Sequence, residues 1–251
     1  MQKATLANYL ADFLAVSLYQ DYAPNGLQIE GRSEIKKIVT AVSASLEVIQ
    51  AAIKINADAL LVHHGYFWQG EDKTILGIKK ARIAALLKED INLFAFHLPL
   101  DCHKELGNNA KLAKILQVSK PKSQTVNQIP NLLWSGSLPK PQSFSQFTNY
   151  LEKKFANNVL AVAGSASTIK TIAWCTGAAQ NLLANAASLK VDAYISGEIS
   201  ERTYYEAREY NIHYFACGHH ATERYGIRAL GEHLAAKFAL EHQYIEVNNP
   251  F

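Results

Sequence analysis

Ala57-Asp58-Ala59-Leu60-Leu61-Val62-His63-His64-Gly65 is the stretch on which the fold turns: an apolar run over 59–62 that ends in two histidines and a glycine. A run that short, bounded by polar residues, predicts a buried strand. Before it, segment 46–55 carries Val48, Ile49, Ala52 and Ile55 as the apolar stripe of a helix. Working outward, strands are expected over 38–43 and 91–96, and helices over 79–88 and near 108–116. Thr5 is placed as the cap of a first helix to about Tyr19, with Leu6, Tyr9, Leu10, Phe13 and Leu14 on one face. Residues 21–31 read as a turn-rich loop. The strand–helix–strand rhythm predicts an α/β sheet rather than a bundle or a sandwich.

The polar stretch 120–130, with Pro121 and Pro130, shows no periodicity and is read as a boundary between subdomains 1–124 and 125–251, the C-terminal segment packing back on the first. Beyond it the rhythm restarts: strands over 132–138, 159–163, 170–175, 193–196 and 212–217, and helices over 144–155, 178–190, 201–210 and 222–240. Val191-Asp192-Ala193-Tyr194-Ile195-Ser196-Gly197-Glu198 repeats the Asp-Ala, strand, Gly-containing turn pattern, Asp192 lying 134 positions after Asp58. At that offset Leu182, Leu183, Ala186 and Leu189 fall on Val48, Ile49, Ala52 and Ile55. The next strand in each half ends in a histidine with a carboxylate four residues on, His97/Asp101 and His219/Glu223, here at an offset of 122. These matches read as a duplicated α/β unit; chance similarity between two strand–helix–strand segments is the plain alternative.

Composition frames the chemistry. With 251 residues, 49% hydrophobic and 19% charged, the chain reads as an ordinary soluble globular protein. A net charge of +3 permits nucleic acid as a partner without indicating it, and Lys79-Lys80-Ala81-Arg82 reads as a solvated helix face. Cys102, Cys175 and Cys217 form no CxxC pair, which fits a reducing, cytoplasmic setting. The N-terminus lacks the apolar run of a signal peptide, and no apolar stretch is long enough to span a membrane.

Three strand ends carry imidazoles and carboxylates: His63-His64-Gly65, His97 with Asp101, and Gly218-His219-His220-Ala221-Thr222-Glu223. This is the ligand chemistry of Zn, Fe, Mn or Ni, and five or six such groups exceed what one tetrahedral ion needs. A two-metal centre is the reading that joins them. Adjacent histidines on a strand point to opposite faces, so both reach one centre only if the strand breaks, for which Gly65 supplies freedom; two ions a few ångströms apart, with one imidazole for each, are the other solution. His219 is expected in the turn before a helix starting near Thr222, with Glu223 in its first turn. Taken singly, each piece also has a structural reading: loop histidines bonded to backbone, or a glutamate on a helix dipole. Glu223 and Asp101 are the candidate bridging carboxylates. His213 and His233 read as structural, His103 and His242 as surface residues, and His220 as a supporting or substrate contact. Thr176-Gly177-Ala178-Ala179 offers a weak anion-binding signal.

Together with Asn25-Gly26-Leu27-Gln28 and Ser196-Gly197-Glu198, these segments resemble the dinuclear metal-centre proteins, also called the GTP cyclohydrolase 1 type 2 homologue family, over essentially the whole chain. The resemblance implies two related three-layer α/β subdomains with a two-metal site in the cleft between them, and assembly into a toroidal hexamer. It implies two divalent cations held by His63, His64, Asp101, His219 and Glu223, with His97 at or beside the centre. Some relatives have a further histidine after the Ser-Gly-Glu turn; 201–205 here has none. The function so implied is a metal-dependent hydrolase acting on a nucleotide or related small polar substrate, with His97 as general acid or base. The alternative is a non-catalytic toroidal metal-binding scaffold or interaction protein.

Overall fold

The computed structural model describes residues 1–251, and two compact units divide them. The first comprises Met1–Leu100 and Gly226–Asn248; the second comprises Asp101–Tyr225 and Asn249–Phe251. The units divide after Leu100 and after Tyr225, and residues 226–248 belong to the first. No helix is long and apolar enough to cross a membrane.

The first unit holds α1 (Lys3–Phe13), β1 (Gly26–Ile29), β2 (Lys37–Ser43), α2 (Leu46–Lys54), β3 (Ala59–His64), α3 (Gly77–Lys88), β4 (Asn92–Ala95), most of α9 (His219–Phe238) and β11 (Glu241–Tyr244). Its sheet runs β1-β4-β3-β2-β11, parallel except for β1. β3 lies at its centre, covered on both faces, and for that reason it reads as a continuous apolar run. One face packs Val39, Ala41, Leu60, Val62 and Leu93 under α2 and α3. The other packs Ile38, Ala59, Leu61 and Phe94 under Leu6 and Leu10 of α1 and Ile227, Leu230 and Leu234 of α9. Ser45 caps α2 by accepting from the Val48 amide at 3.2 Å. The first helix stops at Phe13, short of Tyr19, because Ala15 turns left-handed (φ 50°) and leads into a 3-10 turn.

The second unit holds α5 (Asn108–Ile115), β5 (Ser119–Val126), β6 (Ile129–Gln142), α6 (Phe144–Phe155), β7 (Leu160–Val162), β8 (Ile169–Trp174), α7 (Leu183–Ser188), β9 (Ala193–Ser196), α8 (Glu201–Glu209), β10 (His213–Ala216) and the start of α9. The single-turn α4 (Leu98–Cys102) crosses the division. The sheet runs β5-β6-β8-β9-β10-β7, with β8, β9 and β10 parallel. Phe147, Leu151 and Phe155 of α6 pack on Ile172, Trp174, Ile195 and Phe215. On the opposite strand parity, Tyr194 and Tyr214 are fully buried, as are Leu183 of α7 and Ala207 of α8. Each unit is thus a helix–sheet–helix sandwich.

The two units repeat one topology. β1 runs antiparallel beside β4 as β7 does beside β10, and β4-β3-β2 corresponds to β10-β9-β8. Gly26 faces Ala95 as Leu160 faces Ala216, and Val62 faces Ala95 as Ser196 faces Ala216. Asp58 accepts the Lys36 and Lys37 amides at 2.8 Å; Asp192 accepts those of Lys170 and Thr171 at 2.9 and 2.8 Å. This is why the Asp-Ala pair recurs. By the same register His97 matches Gly218, not His219: the offset at the last strand is 121, one less than the His-x-x-x-carboxylate spacing implied.

Three segments depart from the sequence expectation. Residues 120–130 are not a linker: they belong to the β5–β6 hairpin. β5 is an exposed edge strand of Lys, Gln and Ser, so it carries no apolar alternation to read, and an edge tolerates Pro121. The loop 21–31 contains β1. Helix α9 begins at His219 rather than near Thr222, because Gly218 (φ +99°) makes the turn and the Thr222 hydroxyl donates back to the Gly218 carbonyl at 2.9 Å instead of capping.

Replacing Asp192 with Ala removes one carboxylate that serves two strand-start amides. The expected loss is about 2–3 kcal/mol of unfolding free energy, since hydrogen bonds to charged groups contribute about 1.5–3 kcal/mol. Urea denaturation of Asp192→Ala checks it; a loss under half of that would mean the clamp is idle.

Candidate metal centre

In the first unit, three histidines meet at the carboxyl ends of neighbouring parallel strands, where open α/β sheets place their sites. His63 ends β3 fully buried, and its Nδ1 lies 2.8 Å from the Phe96 carbonyl. A carbonyl only accepts, so Nδ1 carries the proton and Nε2 is the nitrogen that can take a cation. His64 sets its Nδ1 3.1 Å from the Ser43 hydroxyl across β2. His97 follows β4 and donates from Nδ1 to Asp21 at 2.7 Å, while its amide donates to Asn25 Oδ1 at 2.7 Å. One nitrogen from each of the three lies within 4.8 Å of the others. Ring centroids of His63 stand 4.6 Å from His64 and 5.2 Å from His97.

The strand does not break to bring His63 and His64 together; both belong to β3. Gly65 is needed for a different reason than the one expected. A Cβ there would collide with the Gln28 side chain and with Ala95, so its role is close approach, not an unusual φ.

Asp21 anchors this corner. Its carboxylate accepts from His97, from the Tyr22 and Leu98 amides at 2.7 and 2.9 Å, and from the Asn25 side chain at 2.8 Å. Burial works against its charge, but bonding to His97, Asn25 and Leu98 outweighs that and holds its pKa below the usual value.

In the second unit, Asp101 lies on α4 and is 5% exposed. Its Oδ1 accepts from Asn108 Nδ2 at 2.8 Å and from the Thr176 hydroxyl at 3.0 Å. Glu223, 2% exposed, brings a carboxylate oxygen within 4.8 Å of one of Asp101. His219 and Glu223 sit one helical turn apart on α9, paired at 3.0 Å through Nε2, and His219 Nδ1 meets Glu198 Oε1 at 2.6 Å. Burial disfavours the His219 cation, yet Glu223 and Glu198 together push its pKa up to about 9. Gly177 (φ +68°) makes room: a Cβ there would strike Glu223 and crowd His219.

Sequence reasoning missed Asp21, Asn108 and Thr176 as parts of these clusters. Asp21 lay in a segment read only as a turn. Glu198 was visible as the position matching His64 in the duplication. Three of the four amides of the 176–179 loop are taken within the protein: Thr176 N bonds Asn109, Gly177 N bonds Thr222, and Ala179 N bonds Gly177 O. His213 and His233 are structural, accepting from the Gly164 amide and meeting the Tyr9 hydroxyl respectively. His242 is half-buried rather than on the surface, at 2.8 Å from Thr40 Oγ1.

The donors fit a divalent cation. His63, His64, His97 and His219 each tie Nδ1 to an oxygen, the arrangement by which a metal-ligating imidazole fixes its tautomer and ring plane. Two buried carboxylates within 4.8 Å of each other call for positive charge nearby.

Comparison with known proteins agrees with the resemblance drawn from the sequence. A family model, Duf34/NIF3 (NGG1p interacting factor 3), matches residues 1–250. The GTP cyclohydrolase 1 type 2 homolog of Allochromatium vinosum is 46% identical over 98% of this chain and 96% of its own length. That of Yersinia pestis is also 46% identical and is covered over 100% of both chains. Among solved structures, protein ybgI, of unknown function, is similar with a TM-score of 0.96 at 41% identity over 100% of both chains. A protein from Thermus thermophilus gives 0.90 at 30% identity over 100% of both. The chain belongs to the Duf34/NIF3 family.

Proposed function

We propose that this protein is a cytoplasmic metal-dependent hydrolase that holds two divalent cations through His63, His64, Asp101, His219 and Glu223 and acts on a nucleotide-like substrate. The observation that carries the reading is the anchoring of the imidazoles through Nδ1, which orients Nε2 of His63 and His64 in advance of any ligand. The name of the relatives, GTP cyclohydrolase 1 type 2 homolog, points to a purine nucleotide as the substrate class. Buried thiols at Cys102, Cys175 and Cys217, none in a disulfide, accord with a reducing compartment. A homohexamer, as the family resemblance implies, is part of the same reading.

Divalent cations in such a site lower the pKa of a bound water and stabilise negative charge on the reacting oxygen. The chain's own residues do the rest. Asp21 accepts the Nδ1 proton of His97 and so assigns the other nitrogen, Nε2, to exchanging a proton with the reacting molecule. Asn108 and Thr176 hold one oxygen of Asp101, leaving its orientation fixed by bonds inside its own unit. Gly177 keeps the space into which Glu223 and His219 project.

Three outcomes are expected. Metal analysis of His64→Ala and Glu223→Ala proteins with unchanged circular dichroism should show loss of bound metal, and with it loss of nucleotide hydrolysis; metal retained in both overturns the ligand assignment. His97→Gln should keep its metal while kcat falls by about 10²–10⁴, the usual contribution of a positioned acid–base group; an unchanged kcat removes His97 from the chemistry. To hold a cation, His219 would have to give up a proton that Glu223 and Glu198 secure by pushing its pKa up to about 9 from an ordinary 6.5. Apparent affinity in chelator competition should therefore climb with pH, roughly tenfold per unit for one displaced proton, and level off near pH 9. A flat profile between pH 7.5 and 9 would contradict it.

A further inference from the structure

Trp68 stands apart from the protein's other two tryptophans. Trp134 and Trp174 are core residues of the second unit, 7% and 0% exposed, whereas Trp68 is half-buried on the loop that leaves β3. It belongs to neither hydrophobic core of the first unit. Its ring meets His97 at 5.0 Å, edge to face at 86°, and His64 at 6.0 Å.

The loop is built to hold that ring still. The indole Nε1–H donates to the Gly65 carbonyl at 3.2 Å and the Trp68 amide to Glu71 at 3.1 Å. Gln28 grips Tyr66, two residues before Trp68, from both sides, accepting from its amide at 2.7 Å and donating to its carbonyl at 3.0 Å. Between them Phe67 adopts φ +66°, a left-handed conformation that a bulky side chain rarely takes and that the surroundings must enforce. The kink leaves Phe67 37% exposed, under the Lys79 ammonium at 5.3 Å, and sets Trp68 beside the imidazoles. An aromatic ring immobilised in advance, outside the core and beside a cluster of acid–base and ligating groups, costs little further ordering when a flat molecule binds it.

We propose that Trp68 is the stacking platform for the heterocyclic base of the substrate. This rests on the hydrolase reading and deepens it. Stacking accepts any π-face and gives nothing to a sugar or phosphate, so the site would prefer a purine nucleotide over the same nucleotide without its base. Trp68 is on this view a specificity-determining residue and not a catalytic one.

The experiment is equilibrium dialysis of full-length, metal-replete protein with GMP and, separately, ribose 5-phosphate. Wild type should bind GMP more tightly. Trp68→Ala should weaken GMP about tenfold to a hundredfold, as loss of one base–aromatic stack does, and leave ribose 5-phosphate and metal content unchanged. Trp68→Phe should recover most of the loss. GMP should also quench wild-type tryptophan fluorescence and fail to quench Trp68→Phe, whose remaining tryptophans are in the core. Equal binding of the two ligands by wild type, GMP affinity unchanged in Trp68→Ala, or no GMP binding at all overturns the proposal. A metal-bound protein that hydrolyses phosphoesters without base preference sinks the platform and spares the hydrolase. Trp68-dependent GMP binding by a protein inert toward every nucleotide does the reverse.

Discussion

A half-buried carboxylate at the start of the central strand sets the register of each sheet. Asp58 and Asp192 each accept two consecutive amides from the start of the neighbouring strand, which β2 and β8 present at matching positions. A slip of one residue would break both bonds and turn every side chain of the strand to the other face. Four residues beyond Asp58, β3 reaches Val62, and after it come His63 and His64. The placement of those imidazoles therefore rests on a hydrogen-bonded clamp at the opposite end of the strand. Gly31 and Gly164 reinforce it: each approaches the backbone at the start of the next strand so closely that no Cβ fits.

Much of this was legible because parallel, doubly covered strands must be apolar throughout, and β3, β9 and their preceding helices obey that rule. The Asp-Ala repeat was legible because the same clamp recurs. What escaped was whatever has no apolar period. β5 is exposed along nearly its whole length, and β1 is a four-residue edge strand inside a polar loop. The start of α9 escaped because Thr222 looks like a cap, whereas its hydroxyl turns back to a carbonyl one turn behind. Polar partners that act from loops, Asp21 above all, carry no pattern of their own. The donor residues themselves were legible by chemistry; their supporting bonds needed the fold.

The duplication explains more of the site by its failures than by its matches. In register, His63 and His64 of the first copy correspond to Gly197 and Glu198 of the second, and His97 corresponds to Gly218. The second copy thus has a glycine where the first has a strand-borne imidazole, and the reason is steric. A Cβ at Gly197 would meet the backbone of His219 and the Gly177 carbonyl. The first copy presents its histidines from strand ends and a single helical turn follows; the second presents His219 and Glu223 from the first turns of a 20-residue helix. The two copies of one fold thus present different donor sets, three imidazoles in the first and an imidazole with two carboxylates in the second.

The make-up of each cluster bears on whether it is chemical or merely structural. Aliphatic residues at these strand ends would bury without any need of partners, whereas buried carboxylates and imidazoles demand partners for each polar atom. Here the partners are supplied with a consistent bias: Nδ1 of each of the four imidazoles is satisfied by an oxygen, from a carbonyl, a hydroxyl or a carboxylate. Cores that need only polar satisfaction have no reason to use the same ring nitrogen four times. A site that must aim the opposite nitrogen at a ligand does, because the Nδ1 bond sets both the tautomer and the ring plane. The strained Phe67 beside Trp68 follows the same logic, a local conformational cost of about 1–3 kcal/mol sustained where geometry matters more than stability.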